Sequence, residues 1–269
     1  MKKNKQIQPL TVSNTYALTP HMQRIEFSCD NAKIFPKSSA GQYIKLLFTP
    51  QGSTNLALLN DQEQPTLRTY TIQSVDSVTN KIIVDFVKHQ SLQPTAVLSP
   101  TSGGYAQHFA QHAAIGDTIA MLGPNSTNSP SFSADWVLLV ADLSSLAALN
   151  AQLSALPSHT KGHLVIELLS DADKSALPSL NEKEITLTLC IKGKTPSLAH
   201  TVQSLKPLPG APSIWCACEF NDMKAIRRYL TDRYSLLREE CYFSSYWKEG
   251  TTEDGHKIAK RADQEEFAR

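Results

Sequence analysis

Apolar and polar residues alternate with a period close to two through the first half of the chain, and the rhythm then changes. The alternating runs fall at residues 10–18, 22–29, 43–49, 67–75, 81–87 and 117–122. Turn signals separate them: Thr19-Pro20, Phe35-Pro36, Thr49-Pro50-Gln51-Gly52 and the polar run 76–80. Six short strands punctuated in this way predict an antiparallel β-barrel. One stretch breaks the pattern. Gly103-Gly104-Tyr105-Ala106-Gln107-His108-Phe109-Ala110-Gln111-His112 has helix composition, and Pro100-Thr101-Ser102 ahead of it is a helix-start signal with a candidate N-cap.

Beyond a polar, proline-containing linker at 126–133 the chain alternates strands with helices. Nearly continuous apolar runs at 136–141, 162–169, 185–191, 214–220 and 240–246 read as buried strands, with helical patterns at 144–156, 196–205 and 222–234 between them. This order predicts a parallel, Rossmann-like α/β sheet with helices on both faces. The charged tail reads as a short solvated helix, with Thr251 and Asp254 as a loose capping box and Arg261 to Glu265 as an i,i+4 ion pair. The expected fold class is therefore two-domain. An antiparallel β-barrel occupies 1–125, a linker 126–133, an α/β domain 134–247, and a C-terminal helical appendage 248–269.

Composition narrows the function classes. With 269 residues, 41% hydrophobic and 19% charged, the chain is globular and long enough for two cores. A formal net charge of +1 gives no global attraction to nucleic acid. The basic start Met1-Lys2-Lys3-Asn4-Lys5-Gln6 leads into no apolar run of signal-peptide type. No apolar stretch nears the roughly 20 residues of a membrane span, so a cytoplasmic protein bound to no membrane is expected. The scattered Cys29, Cys190, Cys216, Cys218 and Cys241 suit reduced, buried thiols, and Cys216 and Cys218 share one face of a strand without zinc spacing. No sustained coiled-coil stripe argues against a monomer.

Candidate chemistry sits in three places. In the strand Leu67-Arg68-Thr69-Tyr70-Thr71-Ile72, Arg68 is suited to a phosphate and Tyr70 to a flat ring. The helix start at Ser102, Gly103 and Gly104 leaves backbone N–H groups and a positive dipole end to meet a pyrophosphate. After the first α/β strand, Ala141-Asp142-Leu143-Ser144-Ser145 lacks the three-glycine dinucleotide fingerprint, although Ser144 and Ser145 still offer hydroxyls and N–H groups. Asp171 and Asp173, after the second strand, would repel a ribose 2′-phosphate and so favour NADH over NADPH. His108 and His112 are one helical turn apart, but no third ligand follows in sequence, so no metal site is expected.

A barrel carrying Arg-x-Tyr-Thr followed by an α/β domain resembles the ferredoxin reductase superfamily of flavoproteins. Val84-Asp85-Phe86-Val87-Lys88-His89, Gly104-Tyr105-Ala106-Gln107-His108-Phe109-Ala110, Gly116-Asp117, Leu122-Gly123-Pro124, Trp215-Cys216-Ala217-Cys218-Glu219 and Tyr246-Trp247-Lys248-Glu249-Gly250 narrow this. In that order they resemble the siderophore-interacting proteins, cytoplasmic FAD proteins that reduce ferric siderophores and so release the iron. The sequence departs from that family where Tyr105 stands for Pro, Phe109 for Trp, Ala141–Ser145 for Gly-Asp-Glu-Thr-Ala, and Cys218 for Gly.

The resemblance implies FAD held by Arg68, Thr69, Tyr70 and Thr71, flanked by Asp85, Phe86, Val87 and His89, with its pyrophosphate cradled by Gly103, Gly104, Tyr105, Ala106 and Gln107. It implies basic contacts to an anionic ferric siderophore from Lys45 and Lys248, then from Lys257, Lys260 and Arg261. A nicotinamide (NADH or NADPH) would meet Asp142, Ser144, Ser145 and Glu219, and a ferredoxin is the alternative electron donor. Two other readings stay open: a general flavin or NAD(P)H oxidoreductase, and a siderophore-binding or electron-transfer module without nicotinamide turnover.

Overall fold

The computed structural model describes residues 7–29, 35–88, 104–180 and 182–267. The chain divides into two compact units, Met1–Thr127 and Asn128–Arg269.

In the first unit β1 (Gln8–Thr19), β2 (Met22–Ser28), β3 (Tyr43–Phe48), β4 (Thr66–Asp76), β5 (Lys81–Val87) and β6 (Thr118–Asn125) form a closed barrel in the order β1-β2-β5-β4-β3-β6. Every pairing is antiparallel. All six strands lie where the alternation predicts them, because one face of each is buried. Leu10, Ile25, Phe27, Ile44, Leu46, Phe48, Ile72, Val84 and Phe86 make up the inner layer. β6 runs further than the pattern suggested, through Gly123-Pro124 to Asn125, which pairs with Tyr43.

Helix α1 (Tyr105–His112) packs into this core. Phe109 lies 6.4 Å from Phe27 and 6.3 Å from Phe48, centroid to centroid. Tyr105 packs on Phe48, and its hydroxyl donates to the Pro50 carbonyl at 2.6 Å. Gly52 makes this possible: a Cβ there would stand 2.6 Å from Tyr105 Cδ1.

The second unit is a five-stranded parallel sheet ordered β11-β10-β7-β8-β9. Its strands are β7 (Trp136–Asp142), β8 (Lys161–Leu168), β9 (Glu184–Ile191), β10 (Pro212–Glu219) and β11 (Cys241–Trp247). Every residue of β7 and of β10 is buried, so both faces of the central sheet are covered. Helices α2 (Leu146–Ala155), α3 (Leu198–Ser204) and α4 (Phe220–Arg233) supply that cover, and the direction of strand order reverses between β7 and β10.

The C-terminal helix α5 (Glu253–Phe267) is not a solvated appendage. His256, Lys260 and Asp263 recur at helical spacing and carry it onto β11 and α4. His256 meets Ser245, Lys260 donates to Ser244 Oγ and the Ser245 carbonyl, and Asp263 takes a two-pronged ion pair from Arg227. Thr252, rather than Thr251, accepts the Gly255 amide at the helix start. Among the described residues no helix is long and apolar enough to cross a membrane.

Candidate functional site

The barrel unit brings the opening strand and the helix start together. On β4, Arg68, Tyr70 and Ile72 share one face, and Leu46 and Ile44 lie directly opposite Arg68 and Tyr70 on β3. Arg68 is thus an inward-facing, buried arginine at 7% exposure rather than part of an outer polar face. Its guanidinium lies 5.7 Å from the ring centre of Tyr105, the first residue of α1, and it donates to the Leu67 carbonyl. Tyr70 packs on Phe86 with centroids 4.4 Å apart. Thr69, exposed, and Thr71 point to the other face.

α1 opens on Gly104, at φ 88°, rather than on Ser102. A glycine in the left-handed region has no side chain to fill the space over the first helical turn. Among the described residues no side chain accepts from the amides of Tyr105 or Ala106. Tyr105 and Ala106 bury their side chains in the core, so what they can offer an anion is backbone N–H. Gln107 follows in the same turn. Gly103 and His89 lie outside the described residues.

The flanking strand β5 behaves differently from expectation. Asp85 is held by Arg24 directly across on β2, through two bonds of 2.7 Å, so its carboxylate is spent within the barrel. That hydrogen-bonded carboxylate pushes the Arg24 guanidinium pKa up. Phe86 is fully buried and packs on Tyr70, while Val87 ends the strand half-buried. The basic candidate Lys45 lies on the face of β3 opposite Ile44 and Leu46, across from Thr69 and Leu122.

The carboxyl ends of β7 and β10, where the sheet order reverses, bring Asp142, Ser144, Ser145 and Glu219 together in the second unit. They are already engaged with one another. Asp142 accepts from the Ser144 amide at 2.9 Å, from Ser144 Oγ at 2.5 Å and from Trp247 Nε1 at 2.8 Å. Burial raises its pKa, and the Ser144 and Trp247 hydrogen bonds oppose that rise. Ser145, fully buried, donates to the Ala217 carbonyl. Glu219 caps α4, accepting from the amides of Asn221 and Asp222, and takes the Glu249 amide as well.

Glu167, beside Asp142 on β8, was not anticipated. Burial first, then the nearby charges of Asp222 and Asp142, push its pKa up to about 7. Asp173 is fully buried and accepts the Ser170 amide, and Asp171 pairs with Lys174 at 2.6 Å.

The other basic candidates separate. Lys248 sits with its ammonium 4.3 Å from the Phe220 ring centre. Lys260 is half-buried against β11, where its ammonium donates to Ser244 Oγ and the Ser245 carbonyl, and burial lowers its pKa. Lys257 pairs with Glu253 and Asp254, and Arg261 with Glu265. Sequence periodicity could have flagged His256, Lys260 and Asp263 as one face, but polar residues in a stripe give no hydropathy signal.

The comparisons with known proteins agree with this layout. Residues 134–250 match the siderophore-interacting protein family, and residues 11–128 match the siderophore-interacting FAD-binding domain. The chain belongs to the siderophore-interacting protein family. Within it, the ferric vibriobactin reductase ViuB of Vibrio cholerae is 26% identical over 250 residues, covering 89% of this chain and 88% of its own. The ferric acinetobactin reductase of Acinetobacter baumannii is 26% identical over 210 residues, 76% of this chain and 68% of its own. Among solved structures, the siderophore-interacting protein SipS from Aeromonas hydrophila superposes with a TM-score of 0.79 at 23% identity, over 97% of this chain and 99% of that one. The family's fold is ferredoxin-reductase-like, a six-stranded antiparallel barrel followed by a five-stranded parallel sheet, as found in this chain.

Proposed function

We propose that this family member is a cytoplasmic FAD-dependent ferric-siderophore reductase that draws its electrons from a reduced ferredoxin-type protein rather than from NADH or NADPH. The observation that carries the flavin half is the meeting of a buried guanidinium, Arg68, with a helix start at Gly104 that no side chain caps among the described residues. Both are positive, and a pyrophosphate is the ligand chemistry they suit. FAD, when bound, supplies two-electron uptake and one-electron release to the ferric ion. Arg68 and the Tyr105 and Ala106 amides would hold its phosphates, Thr69 and Thr71 would offer hydroxyls, and Phe86 would hold the Tyr70 ring in place. Lys45 and Lys248 would meet the anionic ferric siderophore, whose own hard oxygen donors hold the iron until reduction weakens them.

The donor half rests on the self-capped switch point. The amides and hydroxyl that would meet a nicotinamide pyrophosphate already serve Asp142, and Glu219 fills the neighbouring helix start. Glu167 and Asp222 add further carboxylates, so a dinucleotide would enter an occupied and acidic edge.

The purified protein should be yellow and should bleach rapidly with reduced ferredoxin under anaerobic conditions. Ferric siderophore added with a ferrous trap should then restore the oxidised spectrum. A protein that cannot take up FAD would sink the reading, and bleaching by NADH or NADPH as fast as by ferredoxin would sink its donor half. Arg68→Ala should weaken FAD binding about ten-fold or more, the scale of a lost charge-assisted bond. Unchanged affinity would remove Arg68 from the site.

A further inference from the structure

Two exposed histidines on α1 are not among the residues assigned to the flavin. His108 and His112 stand one turn apart on this eight-residue helix, with ring centroids 4.2 Å apart and planes 34° from parallel. His112 Nδ1 lies 2.8 Å from the His108 carbonyl oxygen. A carbonyl oxygen only accepts, so Nδ1 carries the proton and Nε2 keeps its lone pair. This is the tautomer of a ligating histidine, one ring nitrogen anchored on backbone and the other presented to the ion. Two imidazoles at i and i+4 on one helix reach a common metal in helical zinc sites.

We propose that His108 and His112 form an open two-imidazole site for a borderline divalent transition-metal ion. Among the described residues no group of three or more His, Cys, Asp or Glu side chains is placed to hold a metal. Water must therefore fill the remaining positions, which makes the site exchangeable rather than structural. Imidazole selects copper, nickel, zinc and iron over magnesium and calcium, which take oxygen ligands. Ferrous iron, the product of the proposed reaction, is in the accepted class but near its weak end.

The test is calorimetric titration of the full chain, FAD-loaded and without a polyhistidine tag, with ferrous (anaerobically), cobalt, nickel, cupric and calcium chlorides. One ion per chain is expected, with affinity rising from iron through cobalt and nickel to copper, and no calcium binding. His108→Gln and His112→Gln should each weaken nickel binding about ten-fold or more, at least the loss known for an outer-shell partner. His200→Gln, at an exposed position on α3, should leave it unchanged. Nickel affinity equal in both variants and the natural chain, an absence of nickel binding, or calcium binding as tight as nickel would each overturn the proposal. Because both rings are exposed, thermal melting should be unaltered in the variants. The titration involves no siderophore and no electron donor, so its failure would leave the reductase reading standing.

Discussion

The helix starts of the two units treat charge in opposite ways. In the barrel, α1 begins on a left-handed glycine with a buried arginine beside it, and nothing from Gly104 itself covers the first turn. In the α/β unit, the turn before α2 is closed by Asp142 and α4 is closed by Glu219, each accepting backbone amides. The same physics, helix-start N–H groups with a dipole, meets no side-chain cap among the described residues in one place and is satisfied by carboxylates in the other. An open start suits an anion, as proposed above for α1; a start capped by its own carboxylate serves as a structural joint. The second unit extends this habit. Glu240 collects the hydroxyls of Ser131, Ser133 and Ser213, and Asp263 closes on Arg227.

The largest test of that contrast lies at the α4–α5 joint. Arg227 and Asp263 have side chains only 10% and 3% exposed. Asp263→Ala leaves a largely buried guanidinium unpaired and should cost about 3 kcal/mol, the lower end for a broken buried pair because the arginine side chain keeps some exposure to water. Denaturant unfolding would show it, and a loss below about 1 kcal/mol would mean the joint is a surface-type pair.

Turning the open start into a closed one is the next step. Gly104→Asp places a carboxylate where the α/β unit has Asp142, and Asp tolerates the left-handed backbone. FAD affinity should fall by about 1.5–3 kcal/mol, read by flavin fluorescence. Gly104→Asn, with the same shape and no charge, should lose much less. Equal losses would make the effect steric.

Acid should loosen the second unit before it touches the barrel start. Burial first, and then the neighbouring Lys260 charge, lower the His256 pKa from 6.5 to about 4. The unfolded chain therefore binds the proton more readily. The stability His256 contributes is complete above pH 6.5 and declines as pH falls to about 4, where it is exhausted. The slope is at most about 1.4 kcal/mol per pH unit, and His256→Gln should flatten it in that window. Glu240 acts at lower pH. Burial pushes its carboxyl up, but the hydrogen bonds from Ser131, Ser133 and Ser213 outweigh this and hold it at about 2, so its share is lost between pH 4.5 and about 2.

The smallest effect is expected at the α4 cap. Glu219→Ala should cost about 1 kcal/mol, the usual value of an N-cap, and Glu219→Gln less. Neither should alter FAD affinity if the two starts serve separate purposes.

The strands of both units were legible because burial imposes a period of two on the barrel and continuous apolarity on the sheet. The glycine pair marked the start of α1 to within a residue or two. The residue type of Arg68 suggested a phosphate contact, but its inward direction was not legible. An arginine at that position in an alternating run reads as outer face until the register with β3 sets Leu46 opposite it. The partner of Asp85 was hidden for a similar reason. Only the pairing of β2 with β5 brings Arg24 across from it, 61 positions away in the chain.

By itself, then, the sequence determined the two-unit organisation, the strand positions, the helix that begins at the glycines and the motifs that place the chain in its family. These follow from local periodicity and residue type. The tertiary structure alone decided which charged groups meet which partners. Arg68 comes beside Tyr105 at the start of α1, and Asp85, Asp142, Glu219, Lys260 and Asp263 are each engaged by partners that are mostly distant in sequence. Charge availability depends on long-range pairing and desolvation, which no local pattern records.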